Sequence, residues 1–476
     1  MKFRTVVLLN VAVIACTITA RAAGDLTGYD RIAIGNQETL GGSYTGITSG
    51  ESNRVDGGSW SVISGGHQNV LQDANESNIS GGARNKILDD SYQSSISGGG
   101  DIVIDTNCPY SWVGGGTYHK VFSNAHYATI CGGWSNVIST NNWYSTIGGG
   151  NGNLIWTNAG TSVICGGGGN KIDGNANTAF IGAGSWGYIG YGCGGAAIVN
   201  GYANSNSSAN TFVGSGSYNR IGTNSNASAI LSGEGNWLMD NSLYSIIANG
   251  YHQFLNGAGY SAISGGYYNS IFDGANYSTI GGGGANIIGS NAVCSVIPGG
   301  QYAKAAHSGC FVFGDNSVYS YVTTTTPNQF LARAQNVTFT SGNAGTAQTV
   351  SWTPGTGNWS FTSDRETKER FSPVDTETVL EKLDRIPITE WNYKGYPQRH
   401  IGPVAQDFHA EFPLNDNDKM LNSADLQGVA LAAIQGLHKA VKAKDEQIAQ
   451  LQKRLAAVEE GLEKRSKEET SIPEDR

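Results

Sequence analysis

Ser363 and Lys368 are the two residues whose types and spacing point to covalent chemistry. They lie in the stretch TSDRETKERF, residues 362–371. A serine hydroxyl becomes a nucleophile when a neighbouring base removes its proton, and a neutral lysine amine can be that base. Because the ordinary pKa of lysine is ~10.4, burial or displacement of nearby acids must lower it before the amine accepts a proton at neutral pH. The pair therefore predicts serine-type cleavage only in surroundings that supply this shift.

The same stretch also has the pattern of an ordinary helix start. Ser363 and Glu366 are spaced as a capping box, in which Lys368 would be a solvated residue of the first turn. Residues five apart on a continuous helix point ~140° apart, so Ser363 and Lys368 would not contact each other directly there. The local residues leave the catalytic and the structural interpretation open.

This stretch marks a change in composition along the 476-residue chain. The first 362 residues contain 28 charged side chains, whereas the last 114 contain 39. Both parts are net acidic, and the whole chain has a formal charge of -9. The sequence has no basic patch of the kind that binds nucleic acid or anionic membranes, so it argues against both partners.

Residues 47 to about 305 form a repeat whose aliphatic anchors recur every 15 to 17 residues. Each of the 16 anchors is followed by glycine three residues later and preceded by Ser, Thr or Ala two residues earlier. In 11 units an asparagine stands six residues after the anchor. The anchors are Ile47, Ile63, Ile79, Ile96, Val113, Ile130, Ile147, Ile164, Ile181, Ile198, Val213, Ile230, Ile247, Ile263, Ile280 and Ile297.

A unit this short cannot bury its own apolar face, so successive units must stack. The sequence therefore predicts a mainly β protein, in which residues 23–315 form a parallel β-solenoid or β-roll of about 16 rungs. We expect the asparagines to hydrogen-bond to each other from rung to rung. Residues 316–362 are predicted to be a β connector, and residues 363–425 a small α+β domain.

The six cysteines after the N-terminal segment show no CxxC pairing, so we predict no metal site and no cofactor. Cys294 and Cys310 each precede an aliphatic or aromatic anchor by three residues, Ile297 and Phe313, which would place them within disulfide range on neighbouring rungs. Cys131 and Cys165 share one phase but lie two rungs apart, so we expect both to be unpaired and buried.

Aromatic residues recur three positions before many anchors. Such a column would bind glycan or a receptor if it is exposed, whereas packing between rungs or subunits is the structural alternative and the one that we favour. The column consists of Tyr44, Trp60, Tyr110, Tyr127, Tyr144, Tyr244, Tyr260 and Tyr277.

The N-terminal end of the chain has the pattern of a targeting signal. Lys2 and Arg4 precede an apolar run, and residues 20–22 form a small-residue cleavage site, so residues 1–22 are predicted to be an export signal; lipidation at Cys16 is the alternative. No other segment is apolar over the ~20 residues that a membrane span needs. We expect an extracellular or cell-surface location.

Residues 426–465 repeat apolar positions every seven residues, which predicts a parallel coiled coil of four to five heptads and hence an oligomer. Ile434, Val441, Ile448, Leu455 and Leu462 occupy the first position of the heptad. Leu437, Lys444, Leu451, Val458 and Arg465 occupy the second. On this rule the pattern favours a dimer, and residues 466–476 are predicted to be a disordered tail.

Three stretches together resemble the C-terminal intramolecular chaperone domain of phage endosialidase tail spikes, a family classed as serine peptidases. They are SDRETK at 363–368, WNYKGYPQRHIGPVAQDF at 391–408 and ADLQGVALAAIQGL at 424–437. The upstream repeats are similar in pattern to the heads of trimeric autotransporter adhesins.

The first resemblance implies a domain that trimerises, assists the folding of an upstream fibre and then cuts itself off at the Thr362–Ser363 bond. Ser363 would be the nucleophile and Lys368 the base. Two alternatives remain: a spike hydrolase acting on polysaccharide, although the repeats carry no column pair of carboxylates, or a fibre with an inactive dyad and a permanent trimerisation tail. His400 is a weaker catalytic candidate, with a hydrogen bond in the domain core as the other interpretation.

Overall fold

A computed structural model of the protein describes residues 31–343 and 347–469. The predicted export signal, Cys16 and the last seven residues lie outside the described part of the chain. The described residues divide into two units. One is the solenoid, which extends to Val337 and includes residues 351–359; the other comprises residues 338–350 and the chain from Ser360 onward.

The solenoid consists of two parallel sheets, and each turn contributes one short strand to each sheet. The first sheet has 19 strands: Ile32–Ala33, Gly46–Ile47, Val62–Ile63, Asn78–Ile79, Ser95–Ile96, Trp112–Val113, Thr129–Ile130, Thr146–Ile147, Val163–Ile164, Phe180–Ile181, Ala197–Ile198, Phe212–Val213, Ala229–Ile230, Ile246–Ile247, Ala262–Ile263, Thr279–Ile280, Val296–Ile297, Phe311–Gly314 and Phe330–Arg333.

The second sheet lies between these strands in sequence: Thr39–Leu40, Arg54–Asp56, Val70–Gln72, Lys86–Ile87, Val103–Ile104, Lys120–Val121, Val137–Ile138, Leu154–Ile155, Lys171–Ile172, Tyr188–Ile189, Ser205–Asn206, Arg220–Ile221, Trp237–Leu238, Phe254–Leu255, Ser270–Ile271, Ile287–Ile288, Ala303–Ala305 and Val322–Thr323.

The predicted parallel β-solenoid is confirmed, and its register follows the repeat. Ile130 pairs with Ile147, and Ile147 with Ile164, so equal phases of the repeat form columns. All 16 predicted anchors are buried, with exposures of 0 or 1%. A second aliphatic column, which includes Ile138 and Ile155, is equally buried. The two columns fill the interior, because successive residues of a strand face opposite sides of the sheet.

Glycine is required three residues after the anchor. Gly150 has φ +89°, a left-handed conformation that glycine adopts without strain. A Cβ on Gly150 would lie 2.0 Å from the carbonyl oxygen of Gly167 on the next rung. This column therefore allows neighbouring turns to approach at the ~4.8 Å spacing of paired strands.

The asparagine column bonds to backbone groups of its own rung and of the next rung. The Asn153 Nδ2 donates to the carbonyl oxygens of Gly149, at 2.9 Å, and Gly167, at 3.0 Å. Its Oδ1 accepts the backbone N–H of Asn170 at 3.1 Å. One side chain thus satisfies the turn of its own rung and two groups of the next rung. The predicted bonding of asparagines from rung to rung is confirmed here, with the side-chain oxygen of one asparagine accepting the backbone N–H of the next.

The solenoid is longer than predicted, with about eighteen turns. Ala33 pairs with Ile47, so one rung precedes the first predicted anchor. Val312 pairs with Leu331, nineteen residues later, so the solenoid continues into the predicted connector. The longer spacing breaks the period, which is why the repeat alone did not reveal this rung.

The predicted disulfide between Cys294 and Cys310 is not formed, because the register differs by one residue. Val296 pairs with Phe311, so Cys310 aligns with Ser295 rather than with Cys294. Cys310 faces the interior, whereas Cys294 is exposed, and both are free thiols. Cys131 and Cys165 are also exposed, contrary to prediction. Each directly follows a buried anchor and therefore points outward.

The C-terminal unit combines short strands with three helices. Its residues 338–341, 348–350 and 360–361 belong to a three-stranded sheet of Val337–Ser341, Gln348–Trp352 and Ser360–Phe361. Thr389–Asn392 pairs antiparallel with Arg399–Gly402. The helices are α1 (Thr376–Asp384), α2 (Ala405–Glu411) and α3 (Ser423–Glu469). A small core contains Val379, Phe408, Phe412, Val429 and Ala433. The predicted α+β character is confirmed.

Helix α3 includes the whole predicted coiled coil. It begins three residues before the predicted start and ends four residues after the predicted end. Residues 466–469 are therefore helical rather than part of a disordered tail. The apolar heptad residues are exposed along its length: Ile434, Leu437, Val441, Ile448, Leu451, Leu455, Val458 and Leu462. Among the described residues, no helix is both long and apolar enough to cross a membrane.

Candidate cleavage site

The chain approaches Ser363 from an ordered strand. Thr362 donates its backbone N–H to the Thr349 carbonyl at 2.9 Å, and its Oγ1 accepts the Thr349 N–H at 2.9 Å. These bonds join the residue on the N-terminal side of the predicted scissile bond to the neighbouring strand, Gln348–Trp352. The carbonyl carbon of Thr362 is therefore attached to a fixed element, which favours a defined attack geometry.

Ser363 and Lys368 lie side by side. The Lys368 Nζ donates a hydrogen bond of 2.6 Å to the Ser363 Oγ. A single 3-10 turn, Arg365–Thr367, brings them together, and the backbone becomes extended again at Lys368. The expectation that residues five apart would not pair applied to a continuous α-helix, which does not form here.

The predicted capping box is not formed with Ser363. Asp364 is the N-cap instead, and its Oδ1 accepts the backbone N–H of Glu366 at 3.0 Å. Asp has the acceptor that caps a first turn as well as Ser does. The hydroxyl of Ser363 is thereby left to contact Lys368.

The whole motif is open to solvent in the single chain. Ser363, Asp364 and Lys368 are exposed, as are the large apolar side chains of Phe361 and Phe371 on either side. The Arg365 guanidinium lies 5.0 Å from the Phe371 ring centroid, a cation–π contact. The Ser363–Lys368 contact is present, whereas the water exclusion that would favour a neutral lysine is not.

Helices α1 and α2, which follow the Ser363–Lys368 pair in sequence, are held by hydrogen bonds and an ion pair. Asp375 caps α1 by accepting the N–H of Glu377, and its hydrogen bond from the Thr378 hydroxyl lowers the pKa of the Asp375 carboxyl. Arg385 at the end of α1 pairs with Glu411 at the end of α2, at 2.8 Å. These contacts hold together the helices that follow the motif.

His400 is not part of the Ser363–Lys368 pair. It is the cross-strand partner of Trp391 in the 389–402 hairpin, and the two rings stack with centroids 4.6 Å apart. Tyr393 contacts the same imidazole edge-on. The geometry is that of a hairpin packing residue, although the expected interaction was a hydrogen bond.

The predicted aromatic column is exposed, but its rings stack on each other. Tyr110, Tyr127 and Tyr144 form a continuous stack with centroid distances of 4.7 and 4.6 Å. Tyr244, Tyr260 and Tyr277 form a second stack, and Tyr44 with Trp60 a third. Ring faces within a stack are covered by neighbouring rungs, so most of the column presents edges and hydroxyls to solvent.

A comparison with known protein families agrees with the position of the Ser363–Lys368 pair in the chain. Residues 363–415 match the family model described as chaperone of endosialidase, peptidase S74. The match starts at Ser363 itself and includes the 389–402 hairpin and α2. No curated protein matches the chain. The chain thus joins a β-solenoid to a C-terminal domain similar to this chaperone family.

Proposed function

We propose that this chain is an exported fibre whose C-terminal domain assembles three copies, assists solenoid folding and then cuts the chain between Thr362 and Ser363. The observation that carries the proposal is the 2.6 Å contact between the Ser363 Oγ and the Lys368 Nζ at the first residue of the family match. The solenoid upstream and the heptad helix downstream are the parts that such a cut would separate.

The cut uses the serine on the C-terminal side of the bond. Deprotonated Lys368 takes the proton of Ser363 Oγ, which attacks the Thr362 carbonyl carbon. The C–N bond breaks as the proton passes to the departing nitrogen, leaving Thr362 as an ester on Ser363. Water then hydrolyses the ester, which yields a free carboxylate on Thr362 and restores the serine hydroxyl.

Assembly supplies the surroundings that this chemistry needs. In the arrangement of the single chain Lys368 donates the hydrogen bond, whereas a base must accept it. Other copies that pack against the exposed apolar residues Phe361 and Phe371 would exclude water and disfavour the lysine charge. Cleavage would then follow correct assembly, because only an assembled domain provides that burial.

A disposable chaperone also has a physical rationale. Parallel pairing of rungs joins residues distant in sequence, and such topologies fold slowly. A helix that brings chains into register first reduces the cost of closing those long connections. Once the fibre has formed, the helix is no longer needed to keep it folded.

Denaturing gels of the purified chain test the proposal. Wild type should release a fragment of residues 363–476, whereas Ser363→Ala and Lys368→Ala should remain intact. Ser372→Ala and Lys394→Ala are the matched controls and should be cleaved like wild type. An intact wild-type chain would support the alternative of an inactive dyad with a permanent tail, and cleavage of Ser363→Ala would exclude the proposed nucleophile.

A further inference from the structure

The solenoid carries a groove that is separate from the cleavage motif. It has a volume of about 500 Å³, within the usual size range of small-ligand sites. Its lining combines a column of corner asparagines, including Asn141 and Asn158, with Trp143, Gly160 and Asn177. Asn141 and Asn158 have φ values of +56° and +59°, so their conformation accounts for asparagine at these corners. The ring arrangement beside them has no such explanation.

That arrangement is an interrupted ring column. His126 and Trp143 occupy equal phases on neighbouring rungs and stack with centroids 5.0 Å apart. The next rung has Gly160 at this phase, and the rung after it has Asn177. The indole face that points away from His126 therefore has no side chain above it on the next rung. Trp143 and Tyr144, which ends its own stack, are 53% and 55% exposed.

The gap is large enough for a ring. Trp143 and Asn177 are two rungs apart, which corresponds to about 10 Å at the spacing of paired strands. The amide of Asn177 reaches over the gap, since its Oδ1 lies 3.8 Å from where a Cβ on Gly160 would be. A ring on the indole would thus meet carboxamides on its edges, because Asn141, Asn158 and Asn177 are all exposed.

The chemistry of the lining restricts the ligand. No Asp, Glu, Lys or Arg lines the groove, and the one ionisable side chain in its lining, His126, is stacked on Trp143, so the lining is mainly neutral. Indole faces pack against apolar C–H surfaces, whereas carboxamides both donate to and accept from hydroxyl groups. A neutral sugar ring has both kinds of surface. We propose that the Trp143–Gly160 gap binds a residue of a neutral saccharide, and this inference does not depend on self-cleavage.

Filling the gap is the sharpest test. Gly160→His should continue the His126–Trp143 stack and cover the indole face; residue 160 has no left-handed backbone, and His already occupies this phase at residue 126. Gly259→His is the matched control. Gly259 has the same phase and similar backbone surroundings, but Leu243 stands where Gly160 has Trp143.

The probes are neutral hexasaccharides of glucose, mannose, xylose and N-acetylglucosamine, with an oligogalacturonate as the acidic comparison, measured by titration calorimetry. At least one neutral probe should bind wild type and Gly259→His equally. Gly160→His and Trp143→Ala should weaken that binding at least tenfold, with circular dichroism and the melting temperature checking that each variant is folded.

Three outcomes of the binding measurements would overturn the inference. They are the absence of binding by any neutral probe, a preference for the oligogalacturonate, and equal affinities of Gly160→His and wild type. A change of oligomeric state in Gly160→His would also overturn it, because the gap would then be a contact between copies. None of these outcomes affects the cleavage proposal, which is measured on gels.

Discussion

At the scale of single residues, the solenoid depends on buried side chains that hydrogen-bond to backbone groups of their own rung and of the next rung. Asn153 serves three backbone groups and is fully buried. Residue type and spacing revealed this column, but the sequence could not show that the bonds go to glycine carbonyls. That detail depends on turn geometry, in which the glycine carbonyl of the next rung points at the amide.

Asn153→Ala should destabilise the solenoid locally. The substitution leaves the Gly149 carbonyl and the Asn170 N–H without a partner, and each unsatisfied buried group costs ~1–3 kcal/mol. The Gly167 carbonyl still accepts the backbone N–H of Asn151. We expect amide hydrogen exchange to accelerate around residues 149–170 and the denaturant midpoint to fall. Mass spectrometry of exchange and a denaturation curve would measure both.

Asn151→Ala is the control for that experiment. Asn151 lies two residues away, its side chain is exposed, and its backbone pairing with the next rung does not use the side chain. The exchange pattern should match wild type. Equal effects of the two substitutions would contradict a structural role specific to Asn153.

At the scale of elements, helix α3 has two apolar stripes, and the sequence revealed one. The heptads predicted the exposed stripe. The second contains Val429, Ala433 and Gly436, which are buried in the C-terminal unit. Two of these residues are small, so they give little periodic hydrophobic signal, and their role becomes clear only from the close approach of α1.

Gly436→Ala should separate α1 from α3. A Cβ at this position would lie 2.2 Å from the carbonyl oxygen of Thr376 and 3.4 Å from the Leu380 side chain. Overpacking of this kind costs ~1–3 kcal/mol, which offsets or exceeds the ~1 kcal/mol that alanine gains over glycine in a helix. We expect a lower melting temperature for the C-terminal unit, measured by calorimetry.

Gly461→Ala provides the opposite expectation on the same helix. No atom lies within 4 Å of a Cβ built at Gly461, so only the helix propensity changes. This variant should raise the stability of the helix by up to ~1 kcal/mol. If both variants shifted the melting temperature in the same direction, the packing of Gly436 would not be the deciding contact.

At the scale of the whole molecule, the sequence predicted the order of parts better than their limits. The repeat located the solenoid because buried columns require equal phases, but rungs of unusual length at Leu331 and an alanine anchor at Ala33 concealed its ends. The serine–lysine contact was left open because it depends on one 3-10 turn capped by Asp364. A single turn is too short to show a repeating pattern of apolar residues, so the sequence could not predict it.

The proposal that assembly controls cleavage makes a prediction about residues remote in sequence from the motif. Ile448→Asp with Leu451→Asp places charges in the predicted seam of the coiled coil and should prevent association, because buried unpaired charges are strongly unfavourable there. Neither substitution changes Ser363 or Lys368. We expect single chains in sedimentation experiments and release of the 363–476 fragment at least tenfold slower than in wild type.

The control places the same two charges outside the seam, as Ala449→Asp with Gln450→Asp. These residues are adjacent in sequence to the seam positions but lie away from the first and second heptad positions, so association and cleavage should both continue. A seam variant that remains a single chain yet cleaves at the wild-type rate would show that the dyad is activated within one copy. The water exclusion needed by Lys368 would then have to come from a rearrangement of its own domain, and burial of Phe361 and Phe371 by other copies would be unnecessary.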